Sequence, residues 1–374
     1  MDIAPYLKLM VQKNGSDLFF STGAAPHLKA EGRTMPIGDK RMEPGKVREL
    51  AYSIMTDEQK SEFESTLECN LAISVGGLGR FRVNVFRQRG DVAMVLRYIK
   101  GNIPSIEELG LPETLKDLIQ EKRGLILVVG STGSGKSTTL ASMIDHRNET
   151  TQGHILTIED PIEFLHTHKK SVVDQREVGL DTLTFENALH NALREAPDVI
   201  LIGEIRDAKT MQHATAYAET GHLCLATLHA NNANQAIDRI INFFPDSAHK
   251  QLYNDLSLNL KAVVSQRLVP TIEGKRAAAV EILLATSFIS ELIQKGDIHS
   301  IKEAMEQGKG QGMQTFDGAL YELYKAGTIT VEEALKNADS RNNLSLKIRL
   351  GDTDDSPVKS GGGINEIQFD DDEI

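Results

Sequence analysis

A glycine-rich stretch with a single lysine, Gly130-Ser131-Thr132-Gly133-Ser134-Gly135-Lys136-Ser137-Thr138, carries the spacing GxxxxGK[ST]. It follows the apolar run Leu125–Val129 and precedes Thr139-Leu140-Ala141-Ser142-Met143-Ile144, which has helical spacing. Strand, loop and helix in that order form the context in which this pattern binds phosphate. Glycines at 130, 133 and 135 let the backbone turn successive N–H groups inward around an anion. The following helix aims its positive end at the same charge. Lys136 can reach β- and γ-phosphates, and the Ser137 hydroxyl can ligate Mg²⁺. The chemistry indicated is binding of ATP or GTP.

Three other segments end an apolar strand in ionisable residues. In Ile155-Leu156-Thr157-Ile158-Glu159-Asp160-Pro161-Ile162-Glu163, three carboxylates follow closely. One of them, Glu163, is the candidate base for the attacking water; the alternative reading is that the acids simply cap the next helix. Asp198-Val199-Ile200-Leu201-Ile202-Gly203-Glu204-Ile205-Arg206-Asp207 has the Walker B pattern, with Glu204 as the Mg²⁺-holding acid. An acidic pair often stands at this place; here it is Gly203-Glu204, which moves the base elsewhere. In Gly221-His222-Leu223-Cys224-Leu225-Ala226-Thr227-Leu228-His229, two histidines bracket one strand. His229 shares its strand end with the other candidates and is placed to hydrogen-bond a γ-phosphate.

Arg80, Arg82 and Arg97 lie in strand-like stretches whose apolar residues alternate with them. Two readings stand: a solvated strand face, or guanidiniums reaching a phosphate held by a neighbouring subunit.

The elements that must position these groups follow from periodicity. Residues 1–100 read as an α+β domain, with strands at Asp17–Phe20, His27–Ala30, Asn70–Val75, Arg80–Gln88 and Val92–Ile99. Thr56 opens a helix with capping-box spacing to Gln59. Residues 101–123 form a linker with an amphipathic helix from Pro112 to about Lys122. Residues 124–270 alternate strand and helix, the signature of a mostly parallel α/β sheet, with strands at Leu125–Val129, Ile155–Ile158, Val199–Ile202 and Leu223–Leu228. Ligand chemistry collects at the carboxyl ends of such strands. Residues 271–345 read as a small helical bundle, and 346–374 as a disordered acidic tail in which Ile364, Ile367 and Phe369 are possible anchors.

The chain of 374 residues has a net charge of −12. Residues 351–374 hold eight carboxylates and one lysine, or −7, which leaves −5 for the remainder. A nearly balanced body without basic clusters argues against a nucleic-acid partner. Cys69 and Cys224 are the only cysteines and are too far apart for a disulfide framework or a CxxC zinc site. No apolar run approaches 18 residues and the N-terminus lacks signal-peptide character, so a cytoplasmic location is expected.

Taken together, the phosphate loop and the three strand ends resemble the Walker A, Asp box, Walker B and His box of secretion-type ATPases, over about residues 5–345. Within that group the chain is similar to the type IV pilus retraction ATPases of the PilT/PilU family, the PilU subgroup above all. The resemblance implies a PAS-like N-terminal domain, a RecA-like P-loop ATPase domain and a homohexamer with ATP sites between subunits. It implies that Gly130–Thr138 bind ATP, that Ser137 and Glu204 hold Mg²⁺ and that Glu163 is the base. It also implies that His222 and His229 sense phosphate and that Arg80, Arg82 and Arg97 act across the interface. The implied partners are a PilT-type retraction ATPase and an inner-membrane pilus platform protein, with peripheral association at the pilus base. Retraction motors of the PilT type carry an Ala-Ile-Arg motif in the C-terminal bundle; the matching Phe288–Gly296 here lacks that arginine, which fits an accessory motor. A RecA-like nucleic-acid-dependent ATPase and a non-catalytic nucleotide-binding adaptor are the alternative readings.

Overall fold

Alternating apolar positions in the N-terminal hundred residues build an antiparallel sheet with one greasy face. The computed structural model describes residues 2–30, 32–99 and 101–354. The elements run α1 (Ala4–Gln12), β1 (Gly15–Ser21), β2 (His27–Ala30), β3 (Arg33–Pro36), α2 (Lys46–Tyr52), α3 (Asp57–Thr66), β4 (Glu68–Val75), β5 (Gly79–Gln88) and β6 (Asp91–Ile99). Strand order is β3-β2-β1-β6-β5-β4. Leu18, Phe20, Phe81, Val83 and Leu96 pack against Leu7 of α1, Leu50 of α2 and Phe63 of α3. Thr56 and Gln59 form the expected capping box. On the opposite face, Asp17 stands beside Arg97 and Arg97 beside Arg82 in the strand register, so the three form one cross-strand row. Helices α1 and α2 and strand β3 are additions to the elements expected from the sequence.

The centre of the second sheet is built from fully buried apolar runs, as parallel strands covered on both faces must be. Its elements are α4 (Thr114–Ile119), β7 (Gly124–Val129), α5 (Lys136–Thr150), β8 (Gly153–Glu159), β9 (Ser171–Glu177), α6 (Phe185–Ala192), β10 (Val199–Ile202), α7 (Ala208–Glu219), β11 (Leu223–Leu228), α8 (Ala233–Asn242), α9 (Asp246–Asn259), β12 (Leu260–Pro270) and β13 (Arg276–Leu284). The order is β13-β12-β7-β11-β10-β8-β9, parallel throughout except for the β12–β13 pair. Leu140 and Ile144 of α5 cover one face; Met211 of α7 and Ile237 of α8 cover the other. The register pairs Val129 with Leu228, and Ile202 with both Ala226 and Ile158. The loops that carry the candidate residues therefore leave one edge of the sheet together.

Two expectations change here. The sheet continues through β13 to Leu284, past the boundary at 270, because cross-strand pairing overrides the helical preference of Ala277-Ala278-Ala279. The helix expected from Pro112 to Lys122 is confined to Thr114–Ile119. Arg147 Nη1 donates to the carbonyls of Ile119 (2.6 Å) and Glu121 (3.0 Å), which terminates it.

Beyond the sheet lie α10 (Ser287–Lys295), α11 (Ile301–Gln307), α12 (Phe316–Lys325), α13 (Val331–Asn337) and α14 (Arg341–Asp354). Side chains of Thr286, Thr315 and Thr330 cap α10, α12 and α13. Phe316 and Leu320 of α12 pack with Leu344 and Ile348 of α14 and Val269 of β12. Helix α14 thus occupies the first residues of the segment from 346 expected as a tail, because its i,i+4 apolar pair finds a partner face. The acidic run with Ile364, Ile367 and Phe369 lies outside the described residues. Among the described residues, no helix is long and apolar enough to cross a membrane.

Candidate active site

The phosphate loop connects the end of β7 to the start of α5. A Cβ at position 130 would lie 2.6 Å from the Gln266 carbonyl oxygen and 2.4 Å from Ser134 Oγ, so only glycine fits there. Gly135, with φ +92°, takes the left-handed conformation that turns the chain into α5. Thr139 Oγ1 donates to Gln266 Oε1 at 2.7 Å and fastens α5 to β12. Lys136 Nζ donates to the carbonyls of Gly130 (2.9 Å) and Ser131 (3.0 Å). Burial lowers the Lys136 pKa, and the nearby carboxylates of Glu204 and Glu163 oppose that shift. The Ser134 hydroxyl is buried without a hydrogen-bond partner. An orphan donor beside a turn with no room for a Cβ at position 130 fits a phosphate cradle.

Lys136, Ser137, Glu159, Asp160, Glu163, Glu204, Arg206 and His229 line one cavity of about 220 Å³. Glu159, at the end of β8, accepts from Thr157 Oγ1 at 2.7 Å and from Gln175 Nε2 at 3.3 Å. Burial nevertheless raises its pKa to about 7. The Asp160–Pro161 peptide is cis, and Glu163 beyond it is exposed at the cavity mouth. Glu204, just past β10, accepts from Arg206 Nε at 2.6 Å, and its other oxygen lies 3.2 Å from His229 Nε2. Arg206 Nη1 also lies 3.7 Å from Asp160. Among the described residues no cluster of three His, Cys, Asp or Glu forms a metal cage. Ser137 and Glu204 are hard oxygen donors, a set that suits Mg²⁺ completed by water and phosphate oxygens.

Other expected residues lie apart from this cavity. His222 sits at the amino end of β11, opposite His229, with Nδ1 3.1 Å from Thr220 Oγ1 and 3.2 Å from the Tyr217 carbonyl. Within one chain it does not join the site. Arg97 Nε donates to Asp17 Oδ1 at 2.8 Å. Arg82 Nε lies 3.4 Å from Glu177 Oε1, linking the first sheet to the end of β9. The Arg80 Nε is buried without a hydrogen-bond partner. Cys69 and Cys224 are free and buried, and burial raises both thiol pKa values.

Gln266 and Arg206 were missed as site residues. Gln266 belongs to a strand that emerges directly from α9 with no turn signal, whereas Arg206 stood in the Walker B segment with two acids in reach.

The family described as Type II/IV secretion system protein matches residues 5–344. The type IV pilus ATPase PilU of Pseudomonas aeruginosa is 56% identical over 357 residues, 95% of this chain and 94% of that one. The type IV pilus retractation ATPase PilT of the same organism is 43% identical over 344 residues, 92% of this chain and 100% of that one. A crystal structure of the pilus retraction motor PilT with bound ADP superposes with a TM-score of 0.86 at 43% identity, covering 92% of this chain and 99% of that one.

Proposed function

The chain belongs to the Type II/IV secretion system protein family, among the PilT/PilU type IV pilus ATPases, and from that premise we propose that it is a Mg²⁺-dependent ATPase that powers pilus retraction. In this reading the protein works as a homohexamer with ATP between subunits. It lies in the cytoplasm against the inner membrane, where it passes force to a platform protein alongside a PilT-type motor. The absence of the Ala-Ile-Arg arginine from Phe288–Gly296 supports the accessory role.

The observation that carries the reading is the meeting of Lys136, Ser137, Glu163, Glu204 and His229 around one cavity. Lys136 and the loop N–H groups hold the β- and γ-phosphates. Ser137 and Glu204 would hold Mg²⁺, which supplies positive charge against the phosphate oxygens. Glu163 orients the attacking water and takes its proton. His229 hydrogen-bonds the γ-phosphate and, through Glu204, responds when that group leaves. Arg80, Arg82 and Arg97 contribute from a neighbouring subunit's first sheet, which for Arg82 requires release from Glu177. The loss of contacts at the γ-phosphate then swings one sheet unit against the next as a rigid body.

The test measures phosphate release by the purified chain, alone and with a PilT-type motor, together with the mass of the assembly. Lys136→Ala and Glu163→Gln should each abolish turnover while leaving the fold intact. Normal turnover in Lys136→Ala would remove the site assignment.

A further inference from the structure

Glu281 is a buried carboxylate, 3% exposed, outside the nucleotide cavity. It lies on β13 directly opposite Ser265 of β12. Its Oε1 accepts two hydrogen bonds, from the backbone N–H of Ala233 at 2.8 Å and from the Ser265 hydroxyl at 3.0 Å. Ala233 is the first residue of α8 and carries one of the N–H groups that a helix start leaves without an internal partner. Asn232 Oδ1 takes the N–H of Gln235. Two side chains, one local and one 48 residues away, therefore hold the start of this helix. A negative group at this end is also favoured by the helix dipole.

The segment immediately before α8 is His229-Ala230-Asn231-Asn232. At one end the segment is anchored by Leu228, paired with Val129 beside the phosphate loop. At the other, Glu281 fixes Ala233. Between them, Arg267 Nη2 donates to the Asn231 carbonyl at 3.2 Å and pairs with Asp339 at 2.6 Å. Ser265, the second donor to Glu281, pairs with Val129 in the β12–β7 register. Burying a carboxylate is unfavourable unless its hydrogen bonds are made. Burial raises the Glu281 pKa to about 7, against the pull of both donors. An apolar residue would fill β13 without that cost, yet it would leave the Ala233 N–H unpaired.

We propose that Glu281 is a positioning residue for hydrolysis: by gripping the first N–H of α8 it sets the loop that presents His229 to Glu204. The proposal rests on the role given to His229 above. Glu281 touches neither nucleotide nor reacting water; it acts through the path of the loop.

The test is steady-state ATPase kinetics of the full chain, with melting curves alongside, for Glu281→Asp, Glu281→Gln, His229→Ala and the Glu281→Asp/His229→Ala pair. Asp is one methylene too short to reach Ala233, while Gln retains the Oε1 acceptor. Glu281→Asp should lower kcat about tenfold with KM changed less than about twofold, and Glu281→Gln should stay within about threefold of wild type. With His229 already replaced, Glu281→Asp should have almost no further effect, the non-additivity expected of residues acting as one unit. If His229→Ala is slow and Glu281→Asp is normal, or slows both backgrounds equally, the positioning role is wrong and the His229 role survives. A wild-type rate in His229→Ala removes both.

Discussion

Nε2 of His229 lies 3.2 Å from Oε1 of Glu204, joining the carboxyl ends of the adjacent strands β11 and β10. The other oxygen of Glu204 receives Arg206 Nε. The acid that suits Mg²⁺ is thus held from both sides by groups that also reach toward the phosphate cavity. His229→Ala should lower kcat by about 10- to 100-fold with little change in KM, since the contact matters most as charge develops at the γ-phosphate. His222→Ala, at the opposite end of β11, should change kcat less than about twofold. Equal losses in the two variants, measured by phosphate release, would contradict the division drawn here.

Lys136 spends its hydrogen bonds on the carbonyls of Gly130 and Ser131 inside its own loop. Burial disfavours its charge, so it contributes little to folding while being poised for an anion. Lys136→Ala should therefore cost no more than about 1 kcal/mol of stability, read by calorimetry, and still lose detectable turnover. A variant that failed to fold would show that the lysine is structural.

The central strands were legible because each is an apolar run that stops abruptly at glycine or an ionisable residue: Val129 before Gly130, Ile158 before Glu159, Ile202 before Gly203, Leu228 before His229. Their register then brings the motif ends together with no further information. The strands that escaped notice have other signatures. In β9, Asp174, Gln175 and Arg176 interrupt an edge strand that needs to be apolar on only part of its length. In β12, the chain passes from Asn259 of α9 to Leu260 without a turn residue. Contacts across such strands stayed hidden with them. Gln266 meets Thr139 across 127 residues, and Glu281 meets Ala233 across 48; no local pattern encodes either pair.

Arg82 illustrates the same limit, with a consequence for stability. Its partner, Glu177, is 1% exposed, and neither carboxylate oxygen has a hydrogen-bond donor in standard geometry. Burial raises the Glu177 pKa, with Arg82 the largest opposing influence. Removing the guanidinium would leave that acid only the weaker support of the Ile162 N–H and of Arg80. Arg82→Ala should lower stability by about 1–3 kcal/mol, and adding Glu177→Gln should restore part of it. Unchanged melting with reduced turnover would instead favour the reading in which Arg82 serves a neighbouring subunit.

Glu159 gives a pH dependence whose sign is fixed by its surroundings. Its carboxyl titrates at 4.5 in an ordinary setting and at about 7 in the fold, because burial outweighs the bonds from Thr157 and Gln175. Between those values the folded chain binds a proton that the unfolded chain has lost, so this group's contribution to stability falls as pH rises. The difference is complete above pH 7 and amounts to about 3 kcal/mol. His166 works the other way: burial holds its pKa near 4, so neutral imidazole favours the fold increasingly as pH rises. The wild-type profile is therefore a composite, and the informative quantity is the difference between Glu159→Gln and wild type. Glu159→Gln removes the ionisation while keeping an amide able to pair with Thr157 and Gln175. Its stability relative to wild type should increase from pH 5 to about pH 7 and level off by pH 8 in chemical denaturation. A flat difference across that range would mean that Glu159 ionises freely in the folded cavity and that its burial is not the controlling influence.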